Sequence, residues 1–167
     1  MTTTLSDKTS SAALAGKYLT FRLGNESYGI PVLKVREIIN LIPITIVPRM
    51  PNYIKGVINL RGRIIPVADL RTQFDMAETQ TTGRTCIIVV QLTAVARVTI
   101  SVGLIVDSVE EVNNIAAADI EEIPEFGAVI DTSYLFGMAK IKGMVVLLLD
   151  IDNVLSGEGL AGVIFFL

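Results

Sequence analysis

The chain has 167 residues, 51% of them apolar and 19% charged, a composition that excludes a disordered polypeptide and gives room for one domain or two small ones. With no histidine and one cysteine, it has no imidazole base, no intramolecular disulfide and no Cys/His zinc set. A net charge of −3, with 14 thinly spread basic residues, argues against a nucleic-acid surface.

Val and Ile together number 39, against 17 Leu and 13 Ala, an excess of stiff side chains that suits a pleated surface. The chain reads as mostly β. Met1 to Gly16, rich in Thr and Ser, reads as a loose leader, because no basic start precedes an apolar run as in a signal peptide. Tyr18 to Leu23 alternates, and Gly24-Asn25 turns it into Tyr28-Gly29-Ile30. Val32 to Ile39 has mixed periodicity and is open between strand and short helix. Ile44 to Val47 reads as a brief strand closed by Pro48 and Pro51. Ile54 to Leu60 and Ile64 to Val67 form a hairpin about Arg61-Gly62, and Asp69 caps a short helix from Leu70 to Phe74. Met76 to Gly83 is a polar connection. Strands follow at Cys86 to Leu92, Val98 to Val106 and Met144 to Leu149, with one helical turn at Asp119 to Ile123. A last helix begins after Asp150 and ends near Ser156. The apolar run Met144 to Leu149 is far short of a membrane span, so no direct membrane insertion is expected. The apolar tail Val163 to Leu167 reads as an edge strand or docked terminus rather than a membrane stub.

The two halves repeat. Tyr28 to Ile38 lies over Val102 to Val112 without gaps, with Gly29 on Gly103, Val35 on Val109 and Glu37 on Glu111. Further on, Gly56, Gly62 and Asp69 match Gly137, Gly143 and Asp150, with Arg61 on Lys142. The expected fold is therefore two small barrels of about five strands each, packed together, because closure removes exposed sheet edges.

Residues with catalytic potential have simpler readings. Gly157 to Gly162 satisfies G-x-G-x-x-G, but five following residues leave no helix to hold a pyrophosphate, so it reads as a flexible terminal segment. Asp69 and Asp150 occupy matching capping positions, and the acidic run from Glu110 to Glu125 reads as a solvated face. Cys86 opens an apolar strand with no histidine to activate it. Arg61 stands apart. It is either a solvated turn residue or a fork-shaped donor at the edge of an apolar groove.

Phe21-Arg22-Leu23-Gly24, Tyr28-Gly29-Ile30, Leu33-Lys34-Val35-Arg36-Glu37-Ile38, Ile54 to Gly62, Ile65 to Leu70, Asp107-Ser108-Val109 and Tyr134 to Gly137 together resemble the CheW family of chemotaxis coupling proteins. The resemblance covers about Lys17 to Leu155. It implies a CheW-like domain over 17–155, made of two SH3-like five-stranded β-barrel subdomains with a few short helices. The pseudo-repeated units are 18–75 and 86–152, strands may be exchanged between barrels, and 156–167 form a tail. It also implies a cytoplasmic, non-catalytic adaptor, without metal or cofactor. Such an adaptor bridges chemoreceptor cytoplasmic tips and the regulatory domain of the histidine kinase CheA, which has the same fold. The receptor helix hairpin is expected between the barrels, near Val35, Glu37, Gly56, Arg61, Val109 and Val112. The competing readings are a coupling protein of a type IV pilus or other chemosensory-like pathway and, from another class, a carboxylate-dependent enzyme.

Overall fold

The computed structural model describes residues 14–74, 76, 80–93, 99–121 and 134–155. The expectations for the tail, the glycine-rich segment at 157–162, the leader before residue 14, Val98, and Glu122, Ile123 and Glu125 lie outside the described residues.

Strands occupy Gly16–Leu23 (β1), Glu26–Pro31 (β2), Val35–Asn40 (β3), Ile54–Leu60 (β4), Arg63–Asp69 (β5), Cys86–Thr93 (β6), Thr99–Val106 (β7), Ser108–Ile115 (β8), Ile120–Glu121 (β9), Leu135–Ile141 (β10) and Met144–Leu149 (β11). Short helices span Leu70–Gln73 (α1) and Ile151–Val154 (α2), with 3-10 turns at Val32–Lys34 and Ala117–Asp119. The open reading of Val32 to Ile39 resolves into both answers, a 3-10 turn followed by a strand. The turn expected at Asp119 to Ile123 is displaced, since Ala117–Asp119 coil and Ile120 pairs as strand with Ala139. Ile44 to Val47 contributes only one bridge, Thr45 to Val57.

The strands form two sheets, β8-β1-β2-β11-β10-β9 and β3-β6-β7-β5-β4. The first has six strands rather than five because the two-residue β9 adds to its edge. Each sheet takes strands from both halves of the sequence. The hairpin β1–β2 sits between β8 and β11, and the hairpin β6–β7 sits between β3 and β5. The exchange is reciprocal, and its parallel pairs match: Gly29 lies opposite Leu148, and Gly103 opposite Val67.

The burial follows from this arrangement. Strands β6 and β7 are apolar on both faces. Ile87, Val89 and Ile105 fill the five-stranded unit with Ile58, Ile65 and Val67. Ile88, Val90, Leu92, Val102, Leu104 and Val106 turn the other way, onto Leu19, Phe21, Leu23 and Ile30 of β1 and β2. Tyr18, Ile115, Ala139 and Leu148 fill the six-stranded unit. The result is a central core shared by both sheets, flanked by one smaller core in each.

Candidate partner-binding surface

The hairpin β4–β5 turns on Arg61-Gly62, with φ of 52° and 87°, and the hairpin β10–β11 turns on Lys142-Gly143, with φ of 52° and 78°. Left-handed backbone at the first of these positions favours Asn or Gly, yet both hairpins place a long cation there. The amide of Gly62 donates to Oδ1 of Asn59 at 2.9 Å, which locks the first turn. From that turn the Arg61 guanidinium reaches Glu37 on β3 and forms a close ion pair. The arginine side chain is 68% exposed and the glutamate 32%, so the cation stands outward of its partner.

Gly56 is not at the surface. It sits buried at a bulge in β4, with φ of 152°, and a Cβ there would lie 2.1 Å from the Thr45 carbonyl oxygen. That carbonyl accepts from Val57 N–H at 2.9 Å, so the glycine lets the Thr45 segment close on β4. Its contribution to a site is to hold the hairpin carrying Arg61. Val35 and Val109 are half-buried against the central core, opposite Val90 and Phe21 respectively. Val112 is 54% exposed on β8, and its repeat partner Ile38 is 46% exposed on β3.

Cys86 links the two edge strands. It pairs with Asn40 at the end of β3, and its thiol takes a hydrogen bond from the Val109 backbone near the start of β8. Burial pushes that thiol up, and the hydrogen bond offsets part of the shift. At the other end, Lys17 pairs with Asn114 of β8 and lines a cleft with Val32 and Leu33, just before β3. The end of β3 thus approaches the start of β8 through Cys86, and the end of β8 approaches the start of β3 through Lys17. A cleft of about 520 Å³ at one end is lined by Arg22, Arg84, Cys86, Ser108, Val109 and Glu110.

The sequence reading missed a buried ionic cluster. Asp69 accepts from the Arg71 amide at 2.9 Å as the helix cap, and its carboxylate also takes Arg71 Nε and Nη2, both at 3.1 Å. Arg71 Nη1 reaches Asp107 at 3.1 Å, and Asp107 accepts from Gly24 N–H at 2.6 Å. The only sequence cue was the cap itself. These charges are mutually satisfied, which makes them structural rather than reactive. Among the described residues no three His, Cys, Asp or Glu side chains are grouped to hold a metal. No described helix is long and apolar enough to cross a membrane.

The fold is two packed β units with exchanged strands, whose edge strands carry exposed apolar side chains near an exposed arginine. A CheW-like domain family model matches residues 17–159, and the chain belongs to that family of chemotaxis coupling proteins. It is 39% identical to "Chemotaxis protein CheW" of Klebsiella aerogenes, over 87% of this chain and 84% of the relative. It is 34% identical to the protein of the same description from Rhizobium meliloti, over 84% and 87%. The crystal structure of the scaffolding protein TtCheW from Thermoanaerobacter tengcongensis superposes with a TM-score of 0.74 at 33% identity, covering 87% of this chain and 95% of that one.

Proposed function

We propose that this protein is a non-catalytic adaptor that couples chemoreceptor cytoplasmic tips to the regulatory domain of the kinase CheA. It would act in the cytoplasm, at membrane-associated arrays reached through those partners. Receptor helices lie along β3 and β8, with the flanks of Val35 and Val109 and the exposed Ile38 and Val112 as the apolar wall. Glu37 orients Arg61, whose free donors meet a receptor carboxylate or carbonyl.

The observation that carries this reading is the Arg61–Glu37 ion pair, with its cation exposed, near those apolar side chains. An exposed pair contributes at most ~1 kcal/mol to stability, so Arg61→Ala should fold normally. The test is co-sedimentation with receptor-bearing membranes and CheA. Arg61→Ala is expected to keep its melting temperature and lose assembly of the ternary complex. Retained assembly and kinase control would remove Arg61 from the site.

A further inference from the structure

The reciprocal exchange gives the molecule an internal twofold, and the twofold reproduces more than the fold. Glu37 on β3 pairs with Arg61 of the β4–β5 turn; its equivalent, Glu111 on β8, pairs with Lys142 of the β10–β11 turn at 3.2 Å. Exposed Ile38 is matched by exposed Val112, and Ile64, 53% exposed behind Arg61, by Val145, 51% exposed behind Lys142. Beside them, Arg36 bonds Gln91 and, at the equivalent place, Glu110 pairs with Arg22. Both cations occupy a left-handed turn position that Asn or Gly would fill with less strain. Arg49, in a turn outside the repeat, shares that backbone with φ of 65°, so the equivalence of the two anchors rests on their matched ion pairs and apolar neighbours.

We infer that Glu111 and Lys142, with Val112 and Val145, form a second anchor equivalent to the one at Arg61, and that the two anchors together grip an antiparallel pair of amphipathic helices. The inference rests on the proposed function and extends it to the geometry and charge of the partner. Glu111 lies on β8 between Val109 and Val112, so the second anchor adjoins the apolar residues of that strand. A surface with a local twofold is best matched by a partner with one, and two antiparallel helices are exchanged by a twofold across their axes. Lys142 is 75% exposed against 50% for Glu111, so here too the cation stands outermost. The fitting helix carries a carboxylate next to an apolar residue, once on each arm.

The experiment compares Arg61→Ala, Lys142→Gln and Lys142→Glu for binding to vesicles bearing a chemoreceptor, with and without CheA. Melting temperature is the fold control, and sedimentation velocity reports self-association. We expect Lys142→Gln to weaken receptor binding several-fold and Lys142→Glu by about tenfold or more, a loss of roughly 1.4 kcal/mol per decade. The melting temperature and CheA binding without receptor should stay unchanged. Loss in Arg61→Ala with wild-type binding in both Lys142 variants overturns the second anchor and leaves the proposed function standing. Wild-type binding in all three overturns both. If Lys142→Glu loses CheA but keeps receptor, the surface belongs to the kinase and the inference fails. It fails equally if the wild type self-associates and Lys142→Glu abolishes that, since a second copy would then be the occupant.

Discussion

Asp150 and Asp69 do the same local task at different electrostatic cost. Each caps a four-residue helix, but Asp69 has Arg71 against it, whereas Asp150 has lost water without a comparable cation. Burial raises the Asp150 carboxyl above its ordinary range; the Asn153 amide opposes it most, the neighbouring Asp152 charge adds to the rise, and Lys34 and the Asp152 amide lower it by less. A carboxyl raised in the folded state binds more protons there than when unfolded. Its ionisation therefore costs stability as pH climbs from the unfolded value through the folded one, and the cost persists at neutral pH. Asn caps a helix as well as Asp does. Asp150→Asn should thus raise the melting temperature at pH 7, with the gain vanishing below the ordinary carboxylate range. A lower melting temperature at pH 7 would show that the charge is needed. Arg71 is the opposite case. Only 8% of its side chain is exposed, and Arg71→Ala leaves the buried Asp69 carboxylate with only Lys55 at 3.9 Å and the residue-71 amide, so a loss of about 3 kcal/mol is expected in denaturant unfolding.

At the scale of elements, the hairpins were legible because glycine marks them. Gly62 and Gly143 fall in two-residue turns, and Gly56 and Gly137 fall at bulges, as their spacing in the repeat required. The bulges differ in tightness. A Cβ on Gly137 would meet the Glu121 carbonyl at 2.9 Å, a milder approach than that of Gly56 to Thr45. Gly56→Ala should therefore destabilise more than Gly137→Ala, by at least ~2 kcal/mol relative to wild type, read from urea midpoints. Equal midpoints for the two variants would show that the Thr45 segment moves aside. Strands β8 and β10 were not named from sequence. Ser-Val-Glu-Glu-Val-Asn-Asn-Ile lacks strict alternation, because β8 is a polar edge strand bulged against β1. The equivalence of β1 with β6 was invisible for another reason. Tyr18 to Leu23 and Ile87 to Leu92 share only a period of two, and without a glycine between them nothing fixes the offset. Arg61 stood out in its motif, while Lys142 was seen only as an aligned residue; neither ion pair was readable from spacing, since ion pairing is decided by register across the sheet.

For the whole molecule, the exchange predicts that neither half is a folding unit. Residues 14–76 hold β1 and β2 without the β8 and β11 they pair with, and β3 without β6. Fragments cut between residues 76 and 86 should each be unfolded by circular dichroism and regain sheet structure when mixed. A folded, monomeric N-terminal fragment would contradict the exchanged topology.

The same feature bears on synthesis at the ribosome. Strand β2 emerges early, yet its parallel partner β11 belongs to the last hairpin, with Ser27 waiting for Val146. Until then, each finished hairpin presents open edges and one uncovered apolar face. Folding must await emergence of the chain through β11, and long-range pairing of this kind is slow. The nascent polypeptide is thus an aggregation risk for most of its elongation. Ribosome-stalled chains ending before residue 135 should remain protease-sensitive, and dependence on holding chaperones during translation is the physiological counterpart of the swapped architecture.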